Sequence, residues 1–329
     1  MTALLNDPDL LVPEALTGLV LAHPGLLRLH GAPACVVRAD PGAPKVALVA
    51  GGGSGHEPLH TGFVGTGMLD AAVPGAVFAS PTALQIREAI RAVDRGRGVL
   101  LVVKNYTGDV LNFSIAAELA ADDGIDVRTV LVADDLATDS DEGPGRRGTA
   151  AVVAVEKIAG AAAERGADLD TVAEVAGRVA AGARTLALAL SACTPPGRDR
   201  PAFALAPGEI EFGVGIHGER GIDVRSGGSA RELVAQLAEP VADAIGLRRG
   251  DAVIALVNGL GATHALELSV VHRELVELLT GRGVDVVRQL VGPYVTALDM
   301  RGCSITLLRA TDELLDLWDA PVRTPALTW

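Results

Sequence analysis

The stretch that most restricts this chain is the apolar run at 45–50 and what it runs into, Gly51-Gly52-Gly53-Ser54-Gly55-His56-Glu57-Pro58. A short, continuous apolar run suits a strand buried on both faces, as in a parallel sheet covered by helices. Four glycines at its end give backbone freedom and allow close approach to a ligand. Ligands of open α/β sheets sit at strand ends. A histidine there titrates near neutral pH, so the stretch is expected to wall an active site.

The same grammar recurs downstream. Thr82 reads as the N-cap of a helix to about Val93, after a small-residue loop at 73–81. A strand at 99–103 runs into Lys104-Asn105-Tyr106-Thr107-Gly108-Asp109 and a helix through Ala121. A strand at 126–133 ends in Asp134-Asp135, a polar stretch follows at 138–148, and alanine-rich helices occupy 149–164 and 169–182. This alternation predicts an α/β architecture. Upstream, a helix at 13–28 is interrupted by His23-Pro24, a short strand is expected at 34–38 and a turn at 40–44.

A second series begins with a strand at 185–192. A strand at 211–216 leads into His217-Gly218-Glu219, and one at 251–257 into Asn258-Gly259-Leu260-Gly261. Helices are expected at 230–245 and 263–279, and strands at 285–291 and 304–309. With 329 residues, two domains are expected. Residues 1–184 would form an N-terminal α/β domain with the glycine stretch and the Lys104–Asp109 loop. Residues 185–329 would form a C-terminal α/β domain carrying His217. Both would have mostly parallel or mixed sheets covered by helices, with the substrate site on loops that follow strands.

The net charge of −13 argues against nucleic acid or an anionic membrane as partner, since phosphate contacts need a basic surface. Cys35, Cys193 and Cys303 are few and far apart, which supports neither a disulfide framework nor a zinc site. The acidic, proline-bearing first residues do not read as a signal peptide, and no apolar run reaches membrane-spanning length. A cytoplasmic location is expected.

Three polar clusters each follow an apolar strand: His56, Lys104 to Asp109, and His217 between two glycines. A base, a carboxylate and a second imidazole on such loops could converge on one substrate. Each has a plainer reading. The glycine stretch is either a ligand cradle or an ordinary βα turn; it lacks the order of a Walker A or dinucleotide motif. Asp109 could simply begin its helix. Lys104 could reach along its strand to solvent. His217 could be a hydrogen-bonded core histidine, although its glycine flanks clear space around the ring. Arg146-Arg147 is either a solvated pair or a contact to a partner or phosphate. His23, His30, His60, His264 and His272 lack metal-ligand spacing and read as structural or surface residues.

The chain resembles the substrate-binding K subunit of dihydroxyacetone kinases. The resemblance rests on GGGSGHEPLHTGFVGTGMLDAAVPGAVFASPT at 51–82, VVKNYTGDVLNFSIAAELA at 102–120, GRRGTA at 145–150, EKIAGAAAERGADLD at 156–170, FGVGIHGE at 212–219, VNGLGATHALEL at 257–268, TALDMRGCSITLL at 296–308 and LWDAPVRTPAL at 317–327. It implies a phosphotransferase in which the histidine at His217 adds to the ketone carbon of dihydroxyacetone, giving a covalent hemiaminal. Asp109 and His56 match the residues that deprotonate or hydrogen-bond the substrate hydroxyl. Gly53, Ser54, Gly55 and Lys104 match substrate contacts. The glycines would then close around a small ketose, and no nucleotide phosphate would rest on them.

The resemblance also implies that the nucleotide, ADP or ATP with Mg²⁺, sits on a separate L subunit, so no cofactor or metal is expected on this chain. A multiphosphoryl protein would recharge that nucleotide in a phosphotransferase-system arrangement, and a homodimer is implied. Departures from the family pattern are Arg220 after His-Gly-Glu, Ala151 after Arg-Arg-Gly-Thr-Ala, Ala297, and a short linker at 223–249. They leave open a related ketose such as erythrulose. The rival of another class is a dihydroxyacetone-sensing paralogue that acts with a transcription regulator.

Overall fold

The computed structural model describes residues 4–139 and 143–329; residues 140–142 of the polar stretch at 138–148 and residues 1–3 lie outside the described residues. The chain divides into two compact units. The first comprises the chain up to Val132 with Val152–Arg178 and Asp316–Trp329, and the second Ala133–Ala151 with Val179–Leu315. A boundary at 184/185 falls inside a strand, Ala183–Ser191. The chain instead changes unit at 132/133, 151/152, 178/179 and 315/316. Sequence order does not say which unit a helix will join, and 152–164 joins the first.

In the first unit the strands are β1 (Leu27–His30), β2 (Cys35–Arg38), β3 (Ala47–Ser54), β4 (Ala71–Val77), β5 (Val99–Lys104) and β6 (Val127–Val132), in the order β1-β2-β4-β3-β5-β6. β4, β3, β5 and β6 run parallel, and β2 and β1 add antiparallel at one edge. Helix α1 (Leu11–Ala22) stops at its C-cap His23, where His23-Pro24 predicted a break. Leu27 and Arg28, expected in that helix, belong to β1. Helix α2 (Ala83–Val93) starts at Thr82, whose hydroxyl accepts from the Gln85 amide. Helices α3 (Thr107–Asp122), α4 (Ala151–Glu164) and α5 (Leu169–Gly182) follow. Ile86, Ile90, Leu101 and Phe113 pack into one buried cluster. Each such side chain contributes roughly 1.5–3 kcal/mol on burial.

Two expected loops are strands. Gly51, Gly52 and Ser54 continue β3 and pair with Val73, Pro74 and Val77 of β4. Lacking bulk, both segments read as loops in sequence, yet the small residues are what lets two strands and the turn beyond them close up.

In the second unit the strands are β7 (Ala183–Ser191), β8 (Glu209–Phe212), β9 (Asp223–Ser226), β10 (Ala252–Gly259), β11 (Asp285–Gly292) and β12 (Arg301–Arg309), ordered β11-β10-β12-β7-β8-β9. Among the described strands of this sheet only β10 and β11 pair in parallel, so it is mixed and largely antiparallel. Helices α6 (Ala230–Ala244) and α7 (Ala265–Arg282) bury Leu237, Val241, Leu275 and Leu279 with Leu186 and Leu188 of β7. A capping box at Ser229 and Glu232 starts α6. The short helix α8 (Asp312–Trp318) closes the order. β8 ends at Phe212, not at Ile216, because Gly213 turns the chain at φ 75. β9 lies in the stretch read as a linker. Among the described residues no helix is long and apolar enough to cross a membrane.

Candidate active site

In the first unit, the ends of β3 and β5 and the start of α3 bring ionisable side chains together out of solvent. Lys104, the last residue of β5, is fully buried rather than extended to water. Its ammonium donates to the Gly51 carbonyl at 2.9 Å, meets His60 Nε2 at 2.8 Å and lies 3.6 Å from Asp109 Oδ2. Asp109 is buried in the first turn of α3, where a carboxylate suits the helix dipole. Its other oxygen takes a short hydrogen bond from the Ser80 hydroxyl. Gly52 makes this possible. A Cβ there would sit 2.5 Å from Lys104 Nζ and 3.2 Å from Asp109 Oδ2.

His56 is buried and stacks on Phe78, with ring centroids 5.2 Å apart. Phe78 sits in a turn whose backbone lies against Gly53, where a Cβ would meet Ala79 N at 2.6 Å. The bareness of Gly53 therefore serves the packing of that turn. The Ser54 hydroxyl donates to the Gly75 carbonyl at 2.7 Å. The Gly55 amide donates to Glu57 Oε2 at 3.0 Å.

His60, read from sequence as structural or surface, is buried beside Lys104. Its Nδ1 lies 2.5 Å from Oε1 of fully buried Glu156 on α4. Burial, and next the Lys104 ammonium, hold His60 well below the ordinary imidazole range. Burial pushes Glu156 well above the ordinary carboxyl range, against the pull of Lys104. Sequence reasoning did not single out His60, Glu156 or Ser80 as site residues. The legible signal was Glu156-Lys157 inside the otherwise apolar run at 151–163. Charges on a helix that is apolar all round must be buried, and buried charges need partners. Lys157 finds the Leu317 carbonyl at 2.9 Å, and burial lowers it to about 8.

In the second unit His217 is half-buried on the segment after β8. Its backbone amide donates to Glu219 Oε2 at 2.7 Å. Arg147 holds this segment. It donates to Glu219 Oε1 at 3.2 Å, to the Gly213 carbonyl at 2.8 Å and to Asp135 at 2.8 Å. Burial pushes Asp135 up to about 6 despite the guanidinium beside it. Of the arginine pair, Arg147 is thus a part-buried anchor rather than a solvated loop charge. Gly215 is bare because the Glu219 carboxylate occupies the space of its Cβ. Arg220 reaches Glu211 at 3.3 Å and lies over the Phe203 ring. Asn258, expected in a loop, ends up buried in β10, accepting from the Tyr294 and Val295 amides. Among the described residues, no group of three or more His, Cys, Asp or Glu side chains is placed to hold a metal.

These arrangements provide a buried carboxylate with a fixed hydroxyl partner, a buried ammonium, and three imidazoles, of which His56 and His60 are buried and His217 is half-buried. That is equipment for proton transfer from a hydroxyl and for nucleophilic addition. A Dak1 domain model matches residues 17–326. The dihydroxyacetone-binding subunit of the PEP-dependent dihydroxyacetone kinase of Escherichia coli is 48% identical, with 100% of this chain and 99% of that protein aligned. The corresponding subunit of a PTS-dependent kinase of Listeria innocua is 47% identical over 99% and 100%. An L-erythrulose 1-kinase of Mycolicibacterium smegmatis is 45% identical over 99% of this chain and 58% of that one. Among solved structures, the C. freundii dihydroxyacetone kinase superimposes with TM-score 0.90 at 38% identity, covering 99% of this chain and 60% of that one. A dihydroxyacetone kinase operon co-activator superimposes equally well, at 34% identity over 95% and 97%.

Proposed function

Because this chain belongs to the Dak1 family of dihydroxyacetone kinase subunits, which are phosphotransferases, we propose that it binds dihydroxyacetone for phosphorylation by a nucleotide-bearing partner. A lone-pair ring nitrogen of His217 adds to the C2 carbonyl carbon. The carbonyl π pair moves to oxygen, which takes a proton, and the other ring nitrogen gives one up. The resulting hemiaminal immobilises a ligand too small to make many contacts, and it rejects glycerol, which has no carbonyl. Asp109 then accepts the proton of a primary hydroxyl as its oxygen attacks the phosphoryl group, and His56 hydrogen-bonds that hydroxyl. Lys104 and the backbone at Gly53, Ser54 and Gly55 contact the substrate. In phosphoryl transfer, such positioning and charge placement provide most of the acceleration.

The phosphoryl group comes from a separate L subunit carrying ADP or ATP with Mg²⁺. The full-length similarity to PEP- and PTS-dependent subunits favours recharging by a multiphosphoryl protein. The observation that carries the kinase reading is Asp109, buried with one oxygen on the Ser80 hydroxyl and the other beside Lys104. Capture of a ketose needs no base at a hydroxyl, so this favours a kinase over a sensor of the co-activator type. The likeness to an erythrulose kinase makes L-erythrulose the second substrate to assay.

Crystals soaked in dihydroxyacetone should show density continuous from the His217 ring to C2, and His217→Ala should show none. Wild-type binding without that bond would remove the covalent step. Asp109→Asn should still form the hemiaminal but transfer no phosphoryl group when combined with an L subunit. Unchanged turnover would remove Asp109 from the base role.

A further inference from the structure

Hydrogen-bond bookkeeping around Lys104 fixes the protonation of its neighbour. An ammonium has three donors and no acceptor. Lys104 sends one to the Gly51 carbonyl and faces Asp109 Oδ2 at 3.6 Å. Its third neighbour, His60 Nε2 at 2.8 Å, must therefore accept. The ring is neutral at the pH where that bond exists, which agrees with its depressed pKa. Its single proton is then on Nδ1 and is donated to Glu156 Oε1 at 2.5 Å. The other carboxyl oxygen of Glu156 finds no hydrogen-bond partner among the described residues. The buried carboxyl thus makes one bond, accepting through Oε1, so the proton it holds when folded is on Oε2, and that bond matches the tautomer able to receive Lys104.

We propose that His60 and Glu156 are positioning residues for phosphoryl transfer: Glu156 fixes the His60 tautomer, and His60 in turn clamps the Lys104 ammonium between Gly51 and Asp109. The plainer alternative is a core histidine that merely satisfies itself. Such a histidine is served as well by backbone groups, and it does not require a carboxyl and an ammonium to be buried with it. Here both ring nitrogens are engaged by ionisable side chains, and one of these touches the proposed base. A carboxyl and an ammonium are costly to bury, and apolar packing of the same volume would avoid that cost. The arrangement is explained if it holds Lys104 still. The kinetic part of this inference rests on the proposed kinase function; the tautomer does not.

Glu156→Leu removes the acceptor, and Glu156→Gln restores a neutral one of the same shape. With dihydroxyacetone and an L subunit, Glu156→Leu should lower kcat by about 10- to 100-fold, the range for a misplacement of about 1 Å. KM should change less than about threefold, because covalent capture is at His217. Glu156→Gln should recover most of the loss. Nitrogen-15 NMR of the full chain should find the His60 proton on Nδ1 in the wild type and in Glu156→Gln. Wild-type kcat in a folded Glu156→Leu protein would overturn the inference, as would Glu156→Gln being equally impaired. If Glu156→Leu does not fold, a proton on Nε2 in the wild type would overturn it by itself. If the wild type transfers no phosphoryl group to dihydroxyacetone, the function fails while the NMR result still decides the clamp.

Discussion

Replacing Gly52 by alanine tests whether the bareness of the glycine stretch serves the buried ion cluster. Gly52 lies in β3 at φ 150, and an added Cβ would be 2.5 Å from Lys104 Nζ. Non-bonded atoms settle near 3.5 Å, so the ammonium must retreat by about 1 Å. That retreat breaks at least one of its bonds to the Gly51 carbonyl at 2.9 Å and His60 at 2.8 Å. A hydrogen bond to a charged group is worth about 1.5–3 kcal/mol, and unfavourable backbone at φ 150 adds about 1–3 kcal/mol. The expected loss is about 3–5 kcal/mol. At roughly 2–4 °C per kcal/mol, the melting midpoint should fall by about 10 °C in scanning calorimetry. Turnover with an L subunit should fall by about 100-fold, since Lys104 and Asp109 are displaced together. Gly177→Ala in α5 is the control, because its Cβ would meet nothing within 4 Å. It should be neutral or stabilise by up to about 1 kcal/mol. A Gly52→Ala protein melting within about 1 °C of wild type, with normal turnover, would refute the reasoning.

The buried pair also sets a pH dependence. His60 stays neutral when folded but is protonated in the unfolded chain below its ordinary 6.5, so its contribution is lost as pH falls below 6.5. Glu156 holds its proton when folded but loses it unfolded above its ordinary 4.5, so its contribution is lost as pH rises above 4.5. Between 4.5 and 6.5 the two contributions oppose each other, each with a slope of at most about 1.4 kcal/mol per pH unit. In urea unfolding, the stability of wild type relative to Glu156→Gln should fall as pH rises from 4.5; a difference that stays constant with pH would remove the buried proton. Arg147→Ala should free Glu219 and speed hydrogen exchange at the His217 amide by about 10-fold or more, alongside weaker ketose capture. Unchanged exchange would show that the segment holds itself.

Much of the local structure was legible. The run at 45–50, the Thr82 cap and the break at His23-Pro24 each correspond to an element or its end. The strand ends were less so, because Gly51–Ser54 and Val73–Val77 carry little side-chain bulk and pair through backbone. Asp109 and Lys104 stood out by following a buried strand. His60 did not, since nothing within a few residues of it shows that it faces Lys104.

By itself, the sequence determined that strands and helices alternate around a buried sheet, because apolar runs and caps are properties of short segments. It also determined that something must partner the ionisable side chains of Glu156 and Lys157 inside an apolar helix. Only the tertiary structure decided what that partner is. His60 is 96 residues from Glu156 and 44 from Lys104 in the chain. They meet because the sheet orders its strands β2-β4-β3-β5 rather than by sequence, and because α4 returns to the first unit. Hydrophobic pattern records how deeply a segment is buried but not which neighbours it has. A buried ion cluster is defined by neighbours, so it took the fold to assemble one from residues that look unrelated along the chain.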